Sequence, residues 1–246
     1  MKYGWKKDKI DPRDFKFTVS KAVVAPASVD LRSGCPAVYD QGELGSCTAN
    51  AIAGAIEFDQ IKQKMTPYVP SRLFIYYNER LVEGDVSEDN GAQIRDGIKV
   101  VNSQGVCPET EWPYDITKFA VKPLVECYTH AKLHPTVSYH SVVQDISLFE
   151  QALASGFPMV FGFSVYSAFE SSTVASTGVL KMPGAREKNL GGHAVLCVGY
   201  NRTKKQVLVR NSWGSSWGQQ GYFWMPYAYI TNPNLASDFW VIQSVK

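Results

Sequence analysis

The stretch QGELGSCTANAIAGAI, residues 41–56, places Cys47 at the start of a long run of small and apolar residues. The apolar positions of this run recur at helical spacing: Ala49, Ile52, Ala53 and Ile56. This spacing predicts a helix that begins near Cys47 and is buried on most sides. The first backbone N–H groups of a helix lack partners within it, and the helix dipole favours an anion there. We therefore expect the pKa of the Cys47 thiol to be depressed, as in a nucleophilic cysteine.

Helical patterns continue from Cys47 to about Val101. A second helix is predicted from Ser71 to Leu81, with Ser71 as its N-cap, and a third from Gln93 to about Asn102. From about Val137 onward, short apolar or alternating runs predict strands: Met159–Val165, Ala194–Tyr200, Val207–Arg210 and Tyr222–Met225. This order of helices and then strands predicts an α+β protein with two subdomains around one cleft.

Two local signals refine the second half of the chain. Residues 201–205 are polar and join two predicted strands, which predicts a hairpin turn. A helix is predicted to interrupt the strands, with Ser147 and Glu150 as a capping box and Gly156 at its end.

The composition is that of a globular protein. The 246 residues are 45% hydrophobic and 20% charged, which excludes disorder, collagen-like repeats and coiled coil. The net charge of +2 gives no reason to expect nucleic acid or an acidic membrane as a partner. No secretory signal opens the chain, and no apolar run reaches the ~20 residues that a membrane span needs. The source compartment is left open, and a monomer is expected.

A nucleophilic cysteine needs a base and a residue that orients the base. His193 lies at the mouth of an apolar strand, after Gly191 and Gly192, and Asn211 ends the next strand. If these strands form a hairpin, His193 and Asn211 face each other, and the amide of Asn211 can hold one tautomer of the imidazole. Taken by itself, His193 is better interpreted as a buried core histidine.

The segments Gln-Gly-x-x-Gly-Ser-Cys, Gly-His-Ala-Val and Asn-Ser-Trp-Gly occur in that order. Their order and spacing resemble those of the papain-like cysteine peptidases, from about Pro26 to the C-terminus. The run from Asn211 to Tyr222, Asn-Ser-Trp-Gly-x-x-Trp-Gly-x-x-Gly-Tyr, is very specific to that family. The resemblance implies a helical half and an antiparallel β-barrel-like half, with the active-site cleft between them.

The resemblance also implies catalytic roles. Cys47 resembles the nucleophile, His193 its imidazolium partner and Asn211 the residue that orients the imidazole. Gln41 resembles the side-chain donor of the oxyanion hole, with the backbone N–H of Cys47 as second donor. Trp213 resembles the indole that shields the His–Asn hydrogen bond, and it is expected to contact substrate as well. No metal and no cofactor is implied.

Several glycines and their neighbours resemble substrate-binding positions of the family. Residues 89–92 fall where the family has Cys-Asn-Gly-Gly, whose backbone pairs with an extended substrate. Gly162 and Gly191 resemble walls of the pocket for the second residue before the scissile bond, which predicts a wide pocket. The predicted substrate-binding residues are Gly45, Asn90, Gly91, Ala92, Gly162, Gly191, Gly192 and Trp213.

The chain also departs from the family pattern. Leu44 and Asp89 stand where the family has a disulfide, and apolar packing is expected to replace that bridge. Thr48 and Asn50 stand where a Trp and a Phe are usual, which affects local packing. No adjacent His-His pair occurs, whereas the dipeptide-removing branch has one, so an endopeptidase is favoured.

Residues 1–24 form a predicted charged N-terminal arm or short pro-segment, ahead of a peptidase domain over residues 25–246. The helical half is expected at about 40–130 and the β-rich half at about 131–246. The arm resembles that of bacterial and large-virus members. Phe15, Phe17 and Val19 alternate as in a strand, and Trp5 is expected to dock in a pocket. Two placements of the arm are open: along the cleft, restraining access, or on the outer surface as a strap.

The leading hypothesis is a cysteine endopeptidase acting on proteins or peptides. The alternatives are an amidase or transglutaminase-type acyl transferase with the same dyad, a non-catalytic binding module, and an enzyme held latent by its arm. A zinc site at Cys127, His130 and His134 is disfavoured, because no second cysteine or acidic cluster supports it. A Cys107–Cys127 disulfide is left open.

Overall fold

Helices dominate the first half of the chain. The computed structural model describes residues 2–9, 11–18, 24–134 and 137–244. The helices before residue 132 are α1 (Cys47–Lys62), α2 (Arg72–Glu83), α3 (Ile94–Gln104) and α4 (Val125–Ala131). The side chain of Ser71 accepts a hydrogen bond from the Phe74 backbone N–H, so the predicted N-cap of α2 is confirmed.

Antiparallel strands dominate the second half. In the described residues, one sheet has seven strands: β2 (Ser28–Asp30), β4 (Val137–Ser141), β5 (Met159–Tyr166), β6 (Asn189–Asn201), β7 (Gln206–Arg210), β8 (Tyr222–Pro226) and β9 (Ala236–Ser244). Their order in the sheet is β4-β9-β5-β6-β7-β8, with β2 paired to β6. Strands β6 and β7 form the predicted hairpin, with Asn201 opposite Gln206. The expected α+β class is confirmed.

The sheet separates two hydrophobic clusters because successive side chains of a strand point to opposite faces. On β6, Leu196 and Val198 join the cluster that includes α1, α2 and α3. Val195 and Cys197 join the cluster on the other face. Helix α1 is buried along most of its length because its small side chains let the sheet and the neighbouring helices approach closely.

Shorter helices cover the second cluster: α5 (Ile146–Ala154), α6 (Ser172–Thr177) and α7 (Tyr227–Ile230). The predicted capping box of α5 is wrong. Its N-cap is Asp145, whose Oδ1 accepts hydrogen bonds from the backbone N–H groups of Ser147 and Leu148. Glu150 instead pairs with Arg202, at 2.6 Å, because a carboxylate in the middle of the helix reaches the β6–β7 turn more easily than the cap.

The N-terminal arm runs over both subdomains. Strand β1 (Trp5–Lys6) pairs in parallel with β3 (Ala92–Gln93), which precedes α3. Further on, the Phe17 backbone N–H donates to Ser141, and the Ser141 N–H donates to Phe15. The predicted edge pairing of the arm is therefore found at Phe15 and Phe17, whereas Val19 lies outside the described residues. No helix in the described ranges is both long and apolar enough to cross a membrane.

Candidate active site

The sulfur of Cys47 lies where α1 meets the sheet. Cys47 is the first residue of α1, and β6 packs along the same helix. The backbone N–H groups of Ala194, Gly4 and Thr48 hydrogen-bond to Cys47 and lower its pKa. The side chain has no exposed surface, because the arm covers it from the solvent side.

His193 and Asn211 are joined as predicted. The hairpin of β6 and β7 brings His193 Nε2 to 2.8 Å from Asn211 Oδ1. With Nε2 as donor, Nδ1 carries the lone pair, and within the described residues this buried Nδ1 has no hydrogen-bond partner. The indole of Trp213 stacks on the imidazole, with ring centroids 5.1 Å apart. The three side chains therefore form one buried unit, with Nδ1 free to exchange a proton.

The side chain of Gln41 is held by one hydrogen bond to the helical half and one to the β-rich half. Its Nε2 donates to the carbonyl of Leu44 at 3.0 Å, and its Oε1 accepts from Ser212 Oγ at 2.7 Å. The same Nε2 donates to the carbonyl of Lys2 at 3.3 Å. The carbonyl of Lys2 thus accepts a hydrogen bond from Gln41 Nε2, the group that the resemblance assigns to the oxyanion hole.

Residues 2–6 of the arm pass directly through the cleft. Tyr3 lies against His193 and Trp213, with ring centroids 6.0 and 6.2 Å away. Gly4 packs against the Gly45 carbonyl so closely that a Cβ at position 4 would overlap it. The carbonyl of Gly4 accepts a hydrogen bond from the Ala92 N–H at 2.7 Å.

Trp5 fills a pocket on the sheet side of the cleft. A Cβ at Gly162 or at Gly192 would overlap the indole, so these two glycines make the room for it. The indole Nε1 donates to Asp238 Oδ2 at 3.0 Å. The docking predicted for Trp5 is found. Of the two predicted pocket walls, Gly162 lies against the indole, whereas Gly191 lies against Tyr3 and Gly192 forms the second wall.

The expected low pKa of Cys47 is not found in this arm-covered form. Burial raises the pKa of the thiol to about 11, although the surrounding N–H groups lower it. Burial also lowers the pKa of His193 to about 4, although the hydrogen bond that His193 donates to Asn211 raises it. Both groups are therefore neutral at pH 7, because the arm removes the water that would stabilise their charged forms.

The predicted substrate-binding residues lie along the arm with one exception. Gly45, Gly91 and Ala92 contact Gly4, and Gly191 contacts Tyr3. Asn90 instead turns outward, where its Nδ2 donates to Asp85 at 2.9 Å. Among the described residues, its side chain therefore has no hydrogen bond to the arm.

The expected apolar replacement of the family disulfide is wrong at Asp89. Leu44 is buried in the core, but Asp89 is a hydrogen-bonded carboxylate. It accepts from the Gly45 backbone N–H and from the Tyr76 hydroxyl, and it forms an ion pair with Lys2 at 2.7 Å. The charged side chain of Asp89 can take the place of an apolar contact because Gly45, Tyr76 and Lys2 all donate to it.

Two residues of the site were not found from the sequence. Ser212 orients Gln41, and its place between Asn211 and Trp213 was the available signal. Asp238 lies at the base of the Trp5 pocket and has no motif around it, so only the folded chain identifies it.

Two candidate sites from the sequence remain: the zinc site at Cys127, His130 and His134, and the Cys107–Cys127 disulfide. His130 Nδ1 lies 3.0 Å from Glu111 Oε2, and the described residues contain no group of three or more His, Cys, Asp or Glu side chains that could hold a metal ion. All five cysteines are described and are free thiols, Cys107 and Cys127 included.

Comparison with known proteins gives consistent matches. A family model described as papain family cysteine protease matches residues 25–239. An uncharacterised peptidase C1-like protein of Acanthamoeba polyphaga mimivirus is 47% identical, over 99% of this chain and 87% of its own length. Cathepsin K of Gallus gallus is 30% identical over 80% of this chain, which matches 58% of that protein's length.

Solved structures extend these matches. Xylellain, a cysteine protease from Xylella fastidiosa, is 48% identical with a TM-score of 0.92, covering 99% of this chain and 96% of its own. Digestive procathepsin L 3 of Tenebrio molitor is 21% identical with a TM-score of 0.72, covering 95% of this chain and 75% of its own. At that identity the second match supports the fold alone.

Proposed function

Because the chain belongs to the papain family of cysteine proteases, we propose that it is a cysteine endopeptidase that works through Cys47 and His193 and is restrained by its own arm. The observation that carries this proposal is an extended peptide, residues 2–6, lying across Cys47, His193 and Gln41. A cleft that binds one extended peptide at these residues has the form needed to bind a substrate.

The chemistry follows from the two side chains. Cys47 gives its proton to His193 Nδ1, and the thiolate attacks the carbonyl carbon of the scissile bond. Gln41 Nε2 and the Cys47 N–H stabilise the negative oxygen that forms. His193 then protonates the leaving amine, which leaves a thioester on Cys47. Water, deprotonated by His193, hydrolyses the thioester and restores the thiol.

Asn211 acts on this chemistry as a positioning residue. Its Oδ1 accepts from His193 Nε2, which keeps the lone pair on Nδ1. Trp213 covers this bond on one face. The imidazole is thereby held in the tautomer that can accept the thiol proton.

The arm occupies the cleft in the direction opposite to that of a substrate. In a substrate, the residue in the pocket beside Gly162 precedes the scissile bond in the sequence, whereas in the arm Trp5 follows Gly4. The parallel pairing of β1 with β3 is consistent with this reversed direction. The carbonyl of Gly4 is hydrogen-bonded to Ala92 and not to Gln41. We infer that the arm blocks the cleft without being held in a position for cleavage at Gly4.

An endopeptidase, and not an exopeptidase, fits the extent of the arm. Lys2 and Tyr3 lie on one side of Cys47, and Trp5 and Lys6 lie on the other. The cleft therefore accepts chain on both sides of the nucleophile.

The test compares the full-length protein with two single variants, using casein and a fluorogenic peptide. Cys47→Ala should abolish cleavage, since no other group replaces the thiolate. Gly4→Ala should raise the cleavage rate of the peptide about 10-fold or more, because a Cβ there overlaps the Gly45 carbonyl and displaces the arm.

Cys35→Ala and Lys9→Ala are the matched controls. Cys35 lies away from the cleft, and the Lys9 side chain is exposed on the arm. Both should cleave at the wild-type rate. Cleavage that survives Cys47→Ala would overturn the proposed chemistry, and an unchanged rate in Gly4→Ala would overturn the restraint. Transfer of casein acyl groups to an added amine in preference to water would favour the acyl-transferase alternative.

A further inference from the structure

The base of the Trp5 pocket carries a carboxylate, Asp238. We propose that Asp238 is a specificity-determining residue, which selects substrates with an arginine or lysine side chain at the second residue before the scissile bond. This inference rests on the proposed function, because it assumes that a substrate side chain replaces Trp5 when the arm leaves the cleft.

The Trp5 pocket has room for a long side chain, and the carboxylate of Asp238 lies at its base. Gly162 and Gly192 form walls that leave room for an indole. Asp238 Oδ2 lies 3.0 Å from the indole Nε1, so the carboxylate faces the far end of whatever side chain enters. A side chain that reaches this depth meets an acceptor and not an apolar surface.

The arm supplies donors that a substrate must replace. Asp238 Oδ2 accepts from the Trp5 indole and, at 2.8 Å, from the Asp8 backbone N–H. Both donors leave with the arm, and so does the carboxyl group of Asp8. A carboxylate that loses its donors in a partly buried pocket is costly unless a new partner replaces them. A guanidinium or ammonium group provides both the donors and the opposite charge, whereas an aliphatic side chain provides neither.

Other residues of the arm also contact carboxylates that line the cleft. Lys2 pairs with Asp89 at 2.7 Å, and Lys6 pairs with Glu83 at 3.0 Å. The hydroxyl of Tyr3 donates to Glu170. When the arm leaves, these carboxylates line the path of the substrate and favour basic peptides along its length. Asp238 is the one among them that contacts the side chain inside the pocket.

The backbone at Asp238 makes it suited to an isosteric test. Its φ is +62°, in the left-handed region that Asp and Asn adopt more readily than most residues. Asp238→Asn therefore removes the charge without forcing a new backbone conformation.

The first experiment uses the full-length Gly4→Ala protein and four peptides that differ only at the second residue before the scissile bond: Arg, citrulline, Leu and Trp. Citrulline has the shape of arginine without its charge. We expect kcat/KM for Arg to exceed that for citrulline about 10-fold or more, as expected for a charged hydrogen bond. Adding Asp238→Asn should bring this ratio close to 1.

Glu126→Gln in the same background is the control, since it removes an exposed carboxylate on α4 outside the cleft. It should leave the Arg-to-citrulline ratio unchanged. Equal rates for Arg and citrulline, or a ratio that Asp238→Asn does not alter, would overturn the inference while cleavage itself upholds the proposed function. A preference for Trp over Arg would overturn it in favour of an aromatic pocket. Absence of cleavage for every peptide would overturn both.

A second experiment does not depend on cleavage. In the full-length protein, Trp5→Arg should keep the arm docked through Asp238, whereas Trp5→Gln should release it. The rate of iodoacetamide labelling at Cys47 reports the release, with labels mapped by mass spectrometry. We expect labelling to be about 10-fold slower in Trp5→Arg than in Trp5→Gln, and Asp238→Asn to abolish the difference. Equal labelling of Trp5→Arg and Trp5→Gln would contradict a pocket selective for a basic side chain.

Discussion

At the scale of single residues, the environment of Cys47 depends on two opposing effects. The start of α1 and the nearby N–H groups favour a thiolate, but burial under the arm raises the pKa to about 11. His193, also buried, has its pKa lowered to about 4. Because the arm covers both side chains, we expect the charged pair to form where water and substrate replace the arm.

His193 and Asn211 should contribute unequally to turnover. In the Gly4→Ala background, His193→Ala should lower kcat/KM by roughly 10²-fold to 10⁴-fold, since it moves a proton in each step. Asn211→Ala should cost less, because it only orients the ring through one hydrogen bond. Steady-state kinetics with one fluorogenic peptide measures both. Equal losses in two variants with the same melting temperature would contradict these roles.

At the scale of the elements, the arm has a pH-sensitive attachment. Burial, followed by the charge of Asp238, raises the pKa of Asp8, and burial also raises that of Asp238. Hydrogen bonds from the Arg95 backbone and the Trp240 indole oppose the rise at Asp8. Hydrogen bonds from the Asp8 backbone, Ser237 and Trp5 oppose the rise at Asp238.

Release of the arm should therefore increase as the pH rises. The docked arm binds Asp8's proton more tightly than the free arm does, so docking is fully stabilised below the usual carboxyl pKa near 4 and weakens as the pH rises toward the raised value. Fluorine NMR of fluorotryptophan-labelled protein between pH 4 and 8 can follow Trp5, assigned with Trp5→Phe. Asp8→Asn should weaken the pH dependence. Tighter docking of the arm at higher pH would contradict this predicted pH dependence.

The elements also differ in how well the sequence predicted them. The start of α1 and the N-cap of α2 follow from local patterns and were predicted. The start of α5 was placed two residues late because Ser147 and Glu150 match a capping box while Asp145 makes the actual cap. Strand β6 begins at Asn189, before the predicted Ala194, because pairing with β5 extends it through the glycines.

At the scale of the whole molecule, the five free thiols predict a fold that does not depend on disulfides. The melting temperature should be the same with and without a thiol reductant. A Cys107–Cys127 bridge, if present, would lower it on reduction by roughly 5–10 °C, the effect expected of one disulfide in a chain of this size. Differential scanning calorimetry measures this. A drop on reduction that is absent in Cys127→Ser would establish the bridge instead.

From the sequence we predicted the fold class, the helix that begins at Cys47, and the grouping of Cys47, His193, Asn211 and Gln41. The class and the helix follow from periodicity and turn signals over short stretches, whereas the grouping follows from the resemblance of three short motifs to the papain-like peptidases. Folding alone sets the direction of the arm, the burial that shifts the pKa values of Cys47 and His193, and the place of Asp238 beside Trp5. Trp5 and Asp238 are 233 positions apart, and burial and pairing between such distant residues exist only in the folded chain.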